Sequence, residues 1–266
     1  MKNLNRILLL MCVTFLLSRC TDHVDYEAIE GYQITAEVYF QAESDYEAAL
    51  VGTYDPLQWL YLNVLIGDIA TDNSLCGGES ATDVIGLQQI DDYTHYPNND
   101  NLTSIWRWLY EGVNRANYME ENKSNIDFDS KEALYAEVYF LRAYYYFQLV
   151  KFFGDVPLFT EARLTAGDSG TLVRVPKEEV YAQIEIDLQN AADNLPTSQS
   201  QIGRVNKFTA YSLLGKVLLY QDKFNEAAAA FDNVIGVYSL VSDYGSQFLR
   251  LGENGPESIF EVQYTN

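Results

Sequence analysis

The residues best suited to chemistry in this chain gather between Thr71 and Asn101. There Asp72, Asn73, Asp83, Asp91, Asp92, Tyr93, His95, Tyr96, Asn98, Asn99 and Asn101 stand among glycines and one cysteine. Two of them, Asp91 and Asp92, have the residue type needed for acid and base work on a glycoside. That chemistry requires one carboxyl whose proton affinity is raised by burial, and turn-forming neighbours keep a pair like this solvated. His23 and His95 are too isolated to hold a metal. No phosphate-binding loop, dinucleotide glycine motif or nucleophile elbow occurs, so neither a metal nor a cofactor is expected, and no catalytic residue is assigned. Cys76 has no base beside it in sequence and reads as an inert thiol. The segment does offer the parts for recognising a polyhydroxylated ligand, because flat rings cover C–H faces and amides bond hydroxyls. Tyr93, Tyr96, Asn98 and Asn99 are the candidate contact residues. The competing reading is that the same residues form turns and anchor the loop.

Helices must hold that segment. The densest is centred on Glu132–Leu158, with nine aromatic residues between Tyr135 and Phe153. Apolar side chains recur at Leu134, Val138, Leu141, Tyr145 and Leu149, with Tyr135, Tyr139 and Tyr146 as a second stripe, so several partners must enclose the helix. Asp129 followed by Glu132 reads as its N-terminal capping pair, Gly154 as its stop, and Pro157 bars continuation. Within it Arg142 is read as structural, stacking on rings or meeting an acid. A helical pattern also spans Ser44–Ile66, divided near Pro56. Another runs from Thr103 to about Asn122, in which Trp106 and Trp108 are read first as packing residues, with the alternative that one of two neighbours of that size reaches the surface. Between these two, Thr71–Asn101 reads as a long structured loop. Thr160–Val175 reads as a connector, Pro176 begins a helix that ends near Leu195, and helices follow over Lys207–Tyr220 and to about Ile235. The alternation of Ser258–Tyr264 predicts a strand.

Two helix pairs share one pattern of large, small and aromatic residues. Tyr211, Gly215 and Leu218 with Ala227, Phe231 and Val234 match tetratricopeptide offsets. Tyr139, Ala143 and Tyr146 with Ile184, Leu188 and Ala191 repeat them. Stacked pairs of this kind bury one another's apolar faces. The expected fold is therefore mainly α: a tetratricopeptide-like helical repeat scaffold with long inserted loops and a minor β element near the C-terminus.

The chain has 17 Lys plus Arg against 38 Asp plus Glu, a net charge of −21, and such a field disfavours nucleic acid as a partner. At the N-terminus, Lys2 and Arg6 precede an apolar run, Ile7–Leu17, too short to span a bilayer and typical of a secretory signal. It closes on Leu17-Ser18-Arg19-Cys20, which resembles a bacterial lipobox. Arg19 departs from the small residue usual there, and Cys20 would be the lipidated residue. The expected organisation is a signal peptide over 1–19, an acidic tether over 20–31 and a helical domain over 32–266. A single lipidated terminus anchors a protein to a membrane without spanning it.

Four segments in order, WRWLYEGVNRANYMEEN (106–122), FLRAYYYFQLVKFFGDVPL (140–158), LLGKVLLYQDKFNEAAAAFDNVI (213–235) and ESIFEVQY (257–264), resemble the SusD/RagB family of Bacteroidetes outer-membrane lipoproteins. The resemblance implies a tetratricopeptide-like scaffold with a glycan- or nutrient-binding face. It also implies a location on the outer membrane, and a SusC-like TonB-dependent transporter as partner, over which the protein acts as a lid. Members of that family are usually much longer, so this sequence is expected to correspond to an N-terminal portion. The implied function is non-catalytic capture of an oligosaccharide for the transporter. The alternative is a tetratricopeptide-like adaptor whose ligand is a protein.

Overall fold

The computed structural model describes residues 39–264 apart from Ala81 and Thr171. The signal segment, the tether and Cys20 lie outside the described residues. Helix α1 (Glu43–Tyr54) starts where the Asp45 carboxylate accepts from the Ala42 N–H at 2.8 Å and the Gln41 N–H at 3.0 Å. Proline has no N–H to give an α-helix, and at Pro56 the chain tightens into a 3₁₀ turn, Asp55–Leu60, before α2 (Tyr61–Ile69). The division expected at Pro56 is found. Residues 71–99 are not one unbroken loop, because a short helix, α3 (Ile85–Asp91), interrupts them. The remaining helices are α4 (Asp100–Glu121), α5 (Lys131–Phe153), α6 (Lys177–Asn194), α7 (Lys207–Leu219) and α8 (Phe224–Asp232). They pack in chain order, α4 on α5, α5 on α6, α6 on α7 and α7 on α8, with α1 covering α4 and α5. This is the stacked helical-pair scaffold that the repeat pattern predicts. Among the described residues no helix is long and apolar enough to cross a membrane.

The enclosure expected for α5 is nearly complete: from Leu134 to Val150 every residue except Tyr144 is buried. So many tyrosines can be buried because each hydroxyl finds an acceptor. Tyr135 donates to the Met119 carbonyl at 2.7 Å, Tyr145 to the Thr53 carbonyl at 2.7 Å, Tyr146 to the Phe159 carbonyl at 2.8 Å and Tyr139 to the Glu120 carboxylate at 2.8 Å. Burial raises the pKa of all four phenols, so they remain protonated donors. Helix α5 stops at Gly154, whose φ of 66° suits a residue without Cβ. Its start differs from expectation. The cap position is Ser130, not Asp129, and its side chain makes no capping bond. The Ser130 hydroxyl reaches across to the Glu43 carboxylate on α1 instead.

Arg142 is structural, as its setting in an aromatic helix predicts. Its guanidinium makes a bidentate pair with Asp187 of α6, both contacts at 2.8 Å, and reaches Asn117 Oδ1 of α4 at 3.0 Å and the Thr160 carbonyl at 2.6 Å. Burial lowers its pKa, but Asp187, with Glu120 and Tyr139, more than offsets this, so the charge stays. Small residues let the helices close. A Cβ on Gly215 of α7 would sit 2.5 Å from the Phe231 ring of α8, and one on Gly112 would collide with the Tyr145 ring.

One expected element is absent. Residues 258–264 form no strand among the described residues. The segment lies against helices: Phe260 packs edge-on to Phe140 at 6.3 Å, Thr209 Oγ1 donates to the Ile259 carbonyl at 3.3 Å, and the Tyr264 hydroxyl donates to the Gln58 carbonyl at 3.1 Å. Residues 258–262 are all half-buried and Gln263 and Tyr264 exposed, so the period-two pattern is not matched by alternating burial, and such alternation does not by itself require a β partner.

Replacing Arg142 with Met leaves Asp187 buried and unpaired, and is expected to cost about 3–5 kcal/mol in urea unfolding. The double variant Arg142→Met/Asp187→Leu should recover most of that loss. Gly215→Ala should cost about 1–3 kcal/mol through overpacking against Phe231, read in the same titration.

Candidate functional site

The segment from Ala70 to Asn99 is held by its own side chains. The Tyr93 hydroxyl donates back to the Ala70 carbonyl at 2.5 Å, while the Tyr93 backbone takes a positive φ of 54°. The Cys76 N–H donates to Asp91 at 2.7 Å. Burial, then the carboxylates of Asp91, Asp83 and Asp92, push the Cys76 thiol up, which agrees with an inert cysteine. Asn99 is the cap of α4. Its Oδ1 accepts from the Asn101 N–H at 3.0 Å and the Leu102 N–H at 3.4 Å, and its Nδ2 donates to the Gly86 carbonyl at 2.8 Å.

A cleft of about 910 Å³ lies between this segment and the scaffold. Its floor is apolar, with Ile66 of α2, Ile90 of α3 and Leu102 of α4. Rings from three places face it: Tyr93 from the loop, Trp106 from α4, and Phe152 and Phe153 from the end of α5. Trp106 is held in place by the Phe153 ring at 5.0 Å and 80° and by the Tyr110 ring at 4.8 Å. Trp108 behaves differently and stacks on Trp59 at 5.6 Å and 26°. A cleft under residues 260–263 is smaller, about 310 Å³. It borders Arg204, whose guanidinium is already paired with Glu47 at 2.8 Å and Glu137 at 3.3 Å.

The polar groups of the larger cleft are His95, Thr103, Lys151 and Arg174. Arg174 arrives through non-local pairing. The Val175 N–H donates to the Val156 carbonyl at 3.0 Å, forming an isolated β-bridge, and the Lys177 N–H donates to Asp155 at 2.9 Å. These contacts lay the connector beside the end of α5 and bring the Arg174 guanidinium to 5.9 Å from the Trp106 ring. Lys151 sits over the Phe147 ring at 4.8 Å. Burial, with Lys216 near it, holds its ammonium down at about 8. Apolar floor, flat rings and a few polar groups are the usual make-up of a small-molecule site.

Of the four residues singled out in the loop, Tyr93 lines the cleft. Tyr96 and Asn98 are exposed nearby in the chain but are not part of its lining. Asn99 is buried, with its Oδ1 committed to the start of α4 and its Nδ2 to the Gly86 carbonyl of α3. Asp91 is engaged with the Cys76 backbone. Trp106 is the one of the two tryptophans that reaches the cleft, while Lys151 and Arg174 are not among the candidates the sequence offers. A signal for the two cations was present: in a base-poor chain, each has only apolar neighbours for two positions on either side.

Lys151 carries a testable cost. A lysine whose folded pKa is depressed destabilises the fold fully below that pKa, and the cost fades as pH rises from about 8 towards the ordinary lysine value of 10.5. Lys151→Met should therefore raise the melting temperature more at pH 7 than at pH 9 in matched thermal scans.

The family model described as "Starch-binding associating with outer membrane", SusD-like, matches residues 48–219. The SusD-like protein P2 of Formosa agariphila is 29% identical over 214 residues, covering 76% of this chain and 41% of the relative. A solved laminarin-binding SusD-like protein is 32% identical with a TM-score of 0.75, covering 83% of this chain and 51% of that one. Surface glycan-binding protein A of Bacteroides thetaiotaomicron, solved with laminarihexaose, is 26% identical with a TM-score of 0.73, covering 84% and 49%. The chain thus spans about half the length of these relatives. With a helical scaffold that matches theirs and a family match across most of its helices, the chain belongs to the SusD-like family.

Proposed function

We propose that the protein is a glycan-binding lipoprotein of the outer membrane that captures an oligosaccharide and passes it to a SusC-like TonB-dependent transporter. The observation that carries this reading is the cleft in which Tyr93, Trp106 and Phe153 present rings over an apolar floor. A pyranose ring can lie on such faces while loop amides and hydroxyls take its hydroxyl groups. Tyr96 and Asn98, exposed on the same loop, are placed among the residues that meet the parts of the glycan projecting from the cleft. Asn99 is left to its capping role. A relative named for laminarin binding and another solved with laminarihexaose support a carbohydrate ligand.

The action is binding without bond chemistry. Glycoside hydrolysis commonly uses two carboxyl groups flanking the scissile bond, and none of the described residues lining the cleft is Asp or Glu. Cys20 is the proposed lipid attachment point, which leaves the scaffold tethered outside the bilayer and free to meet a barrel partner. The family description, which associates these proteins with the outer membrane, supports that placement.

Calorimetry against a glycan panel that includes laminarihexaose tests the capture step. A binding glycan should emerge. Trp106→Ala should then weaken it by about 2 kcal/mol, near thirtyfold, as for removal of an aromatic anchor, with Tyr93→Ala weakening it less. Unchanged affinity in both variants, with unchanged melting, would remove the cleft from the proposal. Co-purification from outer membranes with a large barrel protein tests delivery. A partner that binds this chain equally well whether or not Trp106 and Tyr93 are replaced, in the absence of any glycan binding, would favour the protein-adaptor reading.

A further inference from the structure

The charge of the cleft runs against the charge of the molecule. Acids outnumber bases 38 to 17 in the chain, yet the described residues lining the cleft include two bases, Lys151 and Arg174, and no acid. The other large clefts follow the chain's composition. The one bordered by α6 and α8 carries Glu185, Asp193 and Glu226, and the one beside Arg142 carries Glu120, Glu121 and Glu161.

The two cations are also unspent. Four described arginines are paired with carboxylates, Arg142 with Asp187, Arg204 with Glu47 and Glu137, Arg115 with Asp55 and Glu111, and Arg163 with Glu121, while Arg107 and Arg250, which lie outside the cleft lining, share with Arg174 the lack of such a partner among the described residues. Among the described residues no ion pair or hydrogen bond involves the head group of Lys151 or Arg174, and each rests instead on a ring, Phe147 or Trp106. A partly desolvated ammonium with Lys216 near it and no counter-ion is held at an energetic cost. An arriving anion relieves that cost. Arg174 adds a planar fork that matches the two oxygens of a carboxylate or the three of a sulfate ester.

Resting on the capture function proposed above, we infer that the ligand is an anionic oligosaccharide. One sugar ring stacks at Trp106 and Tyr93, and a carboxylate or sulfate substituent lies between Arg174 and Lys151. A neutral glucan uses the rings alone and leaves both cations uncompensated.

Calorimetry on the full chain separates the possibilities with four probes: hexagalacturonate, its fully methyl-esterified form, a sulfated galactan hexamer and laminarihexaose. At least one of the two anionic probes should bind about tenfold tighter than the ester, the scale of a charge-assisted hydrogen bond. Which of them binds identifies the anion as carboxylate or sulfate. The double variant Arg174→Gln/Lys151→Gln should abolish that preference, whereas Trp106→Ala should weaken every probe that binds. If laminarihexaose or the ester binds at least as tightly as both anionic probes, or the preference survives in the double variant, the charge assignment is overturned and the capture function stands. If none of the four binds, the capture function fails and this inference fails with it.

Discussion

The Arg142–Asp187 pair is the contact on which the rest of the architecture depends. It joins α5 to α6, and the same guanidinium holds Asn117 of α4 and the Thr160 carbonyl of the connector. A buried ion pair is weak evidence for stability, since desolvation offsets much of its attraction. Its effect here is positional. Four segments converge on one planar group with fixed donor directions, so their relative register has little freedom. Around that point the connector is pinned repeatedly: Tyr146 bonds both the N–H and the carbonyl of Phe159, Asn117 Nδ2 donates to the same carbonyl at 2.9 Å, and Asn114 bonds both backbone groups of Leu164. The connector then returns to α5 at the Val156–Val175 bridge and delivers Arg174 to the cleft. The polar network of the core and the charge at the candidate site are thus one continuous construction.

The tyrosines play the same role in smaller steps. A phenylalanine in their place would fill similar volume but leave carbonyls at Met119, Thr53 and Phe159 without these partners. Each buried hydroxyl therefore joins α5 to a particular backbone atom as well as to a surface. This explains how a helix rich in rings can be buried on all sides without becoming an unspecific apolar rod. The donors fix which turn of α4 and which residue of α1 it faces.

Most of the scaffold was legible because its signals are local. Helical spacing, the division at Pro56, the stop at Gly154 and the small residue at Gly215 each follow from neighbours within a few positions. What could not be read arises at longer range or from ambiguous chemistry. Asn99 belongs to a run, Asn98-Asn99-Asp100-Asn101, in which any member could cap a helix or touch a ligand, and only the geometry chooses. Ser258–Tyr264 alternates in sequence but packs on helices with no strand partner among the described residues, and alternation alone cannot distinguish that from a sheet. Trp106 and Trp108 sit two apart on one helix and face different surroundings, one the cleft and one Trp59. Arg174 owes its position to a bridge with residues on the far side of the connector, so its placement follows from tertiary structure.

The charges of the whole chain and of the cleft act over different distances. A net charge of −21 is felt by an approaching anion only within about a screening length, roughly 8 Å in physiological salt. Inside the cleft Lys151 is half-buried against the Phe147 ring, so its field is screened less than that of a surface charge, while Arg174 is exposed over the Trp106 ring. The acidic surface therefore tends to slow the approach of every anion, free phosphate and nucleic acid included. The cleft compensates only a ligand that also has a face to lay on Trp106 and Tyr93. Selectivity arises from requiring both at once: a ring without charge leaves two cations unpaired, and a charge without a ring meets the repulsion without the stacking. The strained backbone at Tyr93, with its hydroxyl tied to Ala70, holds one ring before any ligand arrives and lowers the ordering cost of that stacking.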